Sequence, residues 1–183
     1  MRTIVTPVVD GMKAEGQPYI GFLYAGLMLT SAGPKVIEFN VRFGDPEAQV
    51  VLPLLEGPFA RTLLAAANGE LRDSQLRLGS QKSVGVVMAS RGYPASSESD
   101  RVISGLDEAG ALPNVTVFHS GTRQEGAHVV TAGGRVLTVV GIGPTYDGAM
   151  KTAYGAVDRI AFDGRQFRRD IGRKAILAAA EVE

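Results

Sequence analysis

In KVIEFNVRFGDPEAQ, residues 35–49, a carboxylate, an amide, a guanidinium and two further acids follow one another among β-prone apolar positions. A core rarely buries ionisable groups without partners, so the stretch is either the rim of a sheet or a place for chemistry. Glu38 and Asn40 are two residues apart, so on a strand both side chains leave one face, while Ile37 and Phe39 point the other way into a core. Arg42 continues the polar row, and Asp45 and Glu47 stand where a helix is expected to begin. A carboxylate and an amide oxygen side by side suit Mg²⁺, which takes one or two protein oxygens and fills its octahedron with nucleotide phosphates. A neighbouring arginine is the forked donor that phosphate or carboxylate calls for. The same row also fits a solvated strand face with a Glu38–Arg42 ion pair and an Asp45 that only caps a helix. E-x-N-x-R spacing does not decide between the two.

Composition removes several other chemistries. The chain of 183 residues has no cysteine, which excludes disulfides, thiolate nucleophiles and cysteine-held metals. Its two histidines, His119 and His128, argue against a histidine-rich zinc site, so any metal is a hard cation on oxygen ligands. Formal net charge is zero, which points to neither nucleic acid nor a membrane surface as partner. The cationic cluster Arg165, Arg168, Arg169, Arg173 and Lys174 is interspersed with Asp158, Asp163, Asp170 and Glu181, and reads as an ion-paired, solvated helix face. Asp10, Lys13 and Glu15 interrupt any apolar signal segment, and the apolar run GFLYAGLML is about half a membrane span, so a cytoplasmic location is expected. His119 reads as a half-buried imidazole bonded to backbone, and RGYP at 91–94 as a surface turn.

The elements that must position the acidic row follow from periodicity and turn residues. Residues 4–16 read as a short helix with Pro7 in its first turn and Gly16 at its end. Residues 19–30 read as a buried strand, SAGP as a turn, and 34–43 as the second arm of a hairpin. Residues 45–57 carry a helix signature, with Asp45 as N-cap and Pro46 at the first helical position, and 59–71 form another helix that Gly69 stops. A polar connector follows over 71–82. Strands are then expected at 83–90, 115–121, 128–133 and 135–143, with Ala132-Gly133-Gly134 as a tight hairpin between the last two. Helices are expected at 144–160 and 168–181.

Several of these segments carry a family likeness. LYAGLM (23–28), IEFNVRFGDPEAQ (37–49), GVVMASRGYP (85–94), FHSGT (118–122), TAGGRVLTVVGIG (131–143) and RRDIGRKA (168–175) together resemble, in order, the phosphoribosylamine–glycine ligase family. The resemblance covers essentially the whole chain. It implies an α+β fold, with the carboxyl-terminal portion of an ATP-grasp domain over 1–75 and a β-rich domain with packed helices over 76–183. It makes Glu38 and Asn40 the ligands of Mg²⁺ or Mn²⁺, and Glu38, Asn40 and Arg42 the residues that hold ATP. Arg42 and Asp45 become the catalytic side chains. The implied reaction joins glycine to 5-phosphoribosylamine at the expense of ATP, through glycyl phosphate, in purine synthesis. Members of the family are much longer, and their glycine-rich loop and nucleotide-binding lysines have no counterpart before residue 35. The resemblance therefore implies a carboxyl-terminal fragment, a split-gene subunit or one piece of a complex, inactive alone and possessing the missing amino-terminal part as its partner. The alternative is a non-catalytic module that binds a partner chain or a nucleotide weakly. Many ATP-grasp enzymes also carry an acidic metal ligand on the strand before E-x-N, and here that strand, GFLYAGLMLT, has no carboxylate.

Overall fold

The structure is a computed structural model and describes residues 1–72 and 75–180, the last three by backbone alone. Asp73 and Ser74 of the expected connector, and Glu181 of the expected cationic helix face, lie outside the described residues. The chain divides into two units, one of residues 1–48 and 55–78 and the other of residues 49–54 and 79 onward.

In the first unit, helix α1 covers Val5–Ala14, followed by strands β1 (Tyr24–Thr30) and β2 (Gly33–Asn40). Helix α2 (Glu47–Val51) begins in this unit and leads through a 3-10 turn, Leu52–Leu54, to β3 (Leu55–Glu56). Helix α3 (Phe59–Ala67) and β4 (Arg77–Leu78) complete it. The helices α1 and α3 stop just ahead of Gly16 and Gly69, both at positive φ (76° and 71°), where a side chain would be strained. β1 and β2 form the expected antiparallel hairpin, a two-stranded sheet. Its burial departs from expectation. Leu29 is 82% exposed, Ile37 64% and Phe39 39%, so β1 is not a buried strand and Ile37 and Phe39 do not enter a core. A two-stranded ribbon has too little surface to cover its own apolar side chains, and no described element of this unit buries them. The helix expected from residue 45 is shorter as well. Asp45 and Pro46 form a turn ahead of α2, and the Ala48 N–H is taken by the Gly44 carbonyl at 2.9 Å.

The second unit holds β5 (Lys82–Ala89), β6 (Val102–Ile103), α4 (Leu106–Gly110), β7 (Val115–His119), β8 (Thr122–Glu125), β9 (His128–Thr131), β10 (Arg135–Gly143), α5 (Tyr146–Val157) and α6 (Arg173–Ala180). Two antiparallel three-stranded sheets result, in the orders β5-β10-β7 and β6-β9-β8. β10 is the central strand of its sheet, and Val136, Leu137, Val139 and Val140 are all fully buried. Helix α5 presents Ala149, Ala153 and Ala156, also fully buried, to that sheet. The small face permits close approach: a Cβ on Gly141 would stand 2.5 Å from the Ala149 carbonyl oxygen. Thr145 opens α5 as its N-cap, accepting from the Gly148 N–H at 3.1 Å.

Three expectations change here. Ala132–Gly134 does not join a hairpin, because β9 and β10 belong to different sheets and the segment carries the chain from one to the other. Close backbone passage explains its glycines: a Cβ on Gly133 would meet Gly121 Cα at 3.3 Å, and one on Gly134 would meet the Tyr93 ring. The hairpin partner of β9 is β8, a strand that polar TRQE does not advertise. His119 is exposed and bonds the Thr122 side chain, Nδ1 to Oγ1 at 3.0 Å, instead of being half-buried on backbone. The cations at 165–169 precede α6 on an irregular segment and do not line a helix face. Arg168 forks onto Asp170 at 3.0 and 2.6 Å, while Arg165 donates to the Ile160 carbonyl and, with Arg169, lies over the Phe167 ring.

Candidate functional site

Cross-strand pairing sets the site. Tyr24 of β1 stands opposite Asn40 of β2, and Gly26 stands opposite Glu38, so the four share one face of the hairpin. The register shifts immediately afterwards: Leu27 pairs with Val36 and Ile37 is left without a partner, a β-bulge beside Glu38. Bulges turn a strand and re-aim its side chains, which suits a position where a carboxylate must be presented. Gly26 makes room for it, since a Cβ there would lie 3.1 Å from Glu38 Cγ. Asn40 Nδ2 donates to Glu38 Oε1 at 3.0 Å. Glu38 is exposed and Asn40 partly buried.

The remaining expected site residues lie past the strand. β2 ends at Asn40, so Arg42 does not continue the strand row; it sits in a bend, exposed, and its Nη1 donates to the Phe43 carbonyl at 2.9 Å. Asp45 is exposed in the turn before α2. Beyond the sheet, the rings of Phe22 and Phe43 pack with centroids 4.1 Å apart, which ties the two strand ends together below this turn.

Two groups that the sequence did not single out for chemistry join the face. The Tyr24 hydroxyl donates to Glu47 Oε1 at 3.2 Å, bringing the first turn of α2 back to the hairpin. Negative charge raises the Tyr24 hydroxyl above its ordinary pKa, chiefly through Glu47 and less through Glu38, while Arg42 opposes. The hydroxyl therefore feels both carboxylates and the guanidinium at once. Only the alternation of Tyr24 and Gly26 on the strand facing Glu38 and Asn40 pointed to this, and their register was not fixed by sequence.

The donor set fits a hard divalent cation that brings oxygens of its own. Among the described residues, no group of three or more His, Cys, Asp or Glu side chains could hold a metal by itself. Glu38 and Asn40 supply one carboxylate and one amide whose polar atoms already stand 3.0 Å apart. Half a turn of the Asn40 amide puts Oδ1 where Nδ2 stands, giving two adjacent oxygens on an accessible face.

Comparisons with known proteins find one family along the chain. The profile of the family described as phosphoribosylglycinamide synthetase, C domain, matches residues 83–174, and that of the ATP-grasp (A) domain of the same synthetase matches residues 1–48. The phosphoribosylamine–glycine ligase of Streptomyces coelicolor is 49% identical over 178 residues, which is 96% of this chain and 43% of that protein. That of Xylella fastidiosa is 51% identical over 180 residues, 97% of this chain and 41% of the relative. Among solved structures, the phosphoribosylamine–glycine ligase of Thermotoga maritima superposes with a TM-score of 0.76 at 35% identity, covering 88% of this chain and 39% of that one. The chain thus spans about two-fifths of the length of the relatives it matches. With one profile covering half the chain and another the hairpin, the chain belongs to the phosphoribosylamine–glycine ligase (phosphoribosylglycinamide synthetase) family.

Proposed function

We propose that this chain is the carboxyl-terminal part of a phosphoribosylamine–glycine ligase, working in the cytoplasm with the part of the enzyme that its relatives possess and it does not cover. On this reading, residues 1–75 complete an ATP-grasp domain and 76–183 form the β-rich domain behind it. Glu38 and Asn40 hold the Mg²⁺ or Mn²⁺ that accompanies ATP, and when bound this ion neutralises charge on the transferred phosphate. Arg42, its planar guanidinium exposed beyond β2, is offered to the transferred phosphate or to the carboxylate of glycine. Asp45, exposed in the turn before α2, is the second catalytic side chain. The glycine carboxylate attacks the γ-phosphate of ATP, releasing ADP, and the amine of 5-phosphoribosylamine then displaces phosphate from glycyl phosphate. None of these steps needs a protein nucleophile, which accords with a cysteine-free chain.

The observation that carries the reading is the Glu38–Asn40 contact of 3.0 Å on an exposed face cleared by Gly26. The exposed apolar hairpin supports a second reading, a non-catalytic module that only binds a partner chain or a nucleotide. Reconstitution separates them. The chain is mixed with the part of the Streptomyces coelicolor ligase that it does not cover, and ADP release is followed. Release that needs glycine, phosphoribosylamine and both pieces supports the ligase reading. Association of the two pieces without turnover supports the module.

A further inference from the structure

Strand β1 offers no carboxylate to the hairpin face, but it offers Tyr24 directly opposite Asn40. The Tyr24 hydroxyl reaches Glu47 Oε1 at 3.2 Å. Glu47 itself folds back over Gly44: a Cβ on Gly44 would lie 2.9 Å from Glu47 Cδ and 3.0 Å from its Cβ, with Oε2 closer still. Gly44 is buried, so the carboxylate finds space there only because residue 44 has no side chain. Gly26 does the same for Glu38 across the strands. Two carboxylates from separate elements are thus each accommodated by a glycine, and the Tyr24–Asn40 pair links them.

We infer that Tyr24 is a positioning residue of the cation site: its hydroxyl holds the Glu47 carboxylate toward the hairpin face, where Glu47 supplies the second acidic oxygen donor that β1 lacks. The inference rests on the cation-binding reading of Glu38 and Asn40. Its chemistry is direct. A phenol that donates to one carboxylate oxygen fixes the plane of that carboxylate and leaves lone pairs free for a cation. Outer partners of this kind tune metal affinity without touching the metal. A second anionic donor also offsets the weakness of a site built from one carboxylate and one neutral amide.

The test titrates the whole chain with Mn²⁺ alone, counting free ion by electron paramagnetic resonance. The unsubstituted chain binds saturably and Glu38→Gln abolishes binding. Tyr24→Phe and Glu47→Gln each weaken binding about tenfold. The double variant Tyr24→Phe/Glu47→Gln binds no more weakly than Glu47→Gln, because Tyr24 acts through Glu47. Thermal melts of the single variants, unchanged from the parent, separate this from loss of folding. Full affinity in Tyr24→Phe and Glu47→Gln beside a weakened Glu38→Gln overturns the inference and leaves the Glu38–Asn40 site standing. Additive losses in the double variant overturn the positioning role of Tyr24. Full affinity in Glu38→Gln, or no saturable binding by the parent chain, overturns the cation reading and the inference together.

Discussion

Glu38 is expected to matter to chemistry and hardly to folding. Glu38 is exposed, so Glu38→Gln should move stability by no more than about 0.5 kcal/mol. Ile37→Ala, at a 64% exposed bulge position, should cost no more than about 1 kcal/mol in this chain, against about 2–5 kcal/mol at a buried site. Chemical denaturation of both variants checks the pair. Acid acts elsewhere. Hydrogen bonding from Arg168, with help from its charge, holds the Asp170 carboxyl below its ordinary pKa of 3.8. A depressed folded-state pKa means that this contact stabilises the fold above the ordinary value and is lost as pH falls through the lower one. The Asp170 carboxyl should therefore titrate below its usual midpoint by NMR, and Arg168→Ala should raise it. At this scale the sequence was half legible. The two-residue spacing put Glu38 and Asn40 on one face, but a hydroxyl 23 residues away from its carboxylate, as Tyr24 is from Glu47, leaves no local trace. The strand end that diverts Arg42 was equally hidden, because E-x-N-x-R keeps its alternation on paper whether or not pairing continues.

Elements follow the sequence where one face is buried and fail it where pairing is a choice among distant partners. β5 alternates buried and partly buried residues over Lys82–Ala89, and β10 is an almost continuous apolar run because both of its faces are covered. Both were readable. The separation of β9 from β10 was not, since two valine-rich runs around Ala132-Gly133-Gly134 look the same whether they pair with each other or with other strands. Helix α5 gives the sharpest test of packing. Gly141→Ala drives a methyl group into the backbone of α5 at Ala149 and Ala153, neither of which can rotate away, and should cost about 2–3 kcal/mol. Thr145→Ala removes only the N-cap and should cost about 1 kcal/mol. Urea midpoints for the two, with equal slopes, check that order.

For the molecule as a whole, the outstanding feature is the uncovered hairpin. Ile20, Leu27, Met28, Leu29, Val36, Ile37 and Val41 are all exposed, and both edges of a two-stranded sheet are available for pairing. The chain should therefore bind an apolar dye and sediment faster as concentration rises, and Leu29→Lys with Ile37→Lys should suppress both. A concentration-independent monomer that binds no dye would count against this. Family and fold class were legible because the diagnostic segments are local and ordered along the chain. The exposure of the hairpin was not, because apolar alternation gives no sign of whether a covering layer is present. The central claim is that the Glu38–Asn40 face serves the nucleotide-bound cation. Its most direct test is turnover and thermal midpoint measured together for Glu38→Gln, with Phe39→Ala as comparator, in the enzyme reconstituted from this chain and the uncovered part of the Streptomyces coelicolor ligase. The account predicts that Glu38→Gln loses about a thousandfold in turnover at an unchanged midpoint. Full turnover in Glu38→Gln would show that Glu38 holds no catalytic cation, and a lowered midpoint that accounts for the loss would make it a structural acid; either result contradicts the account.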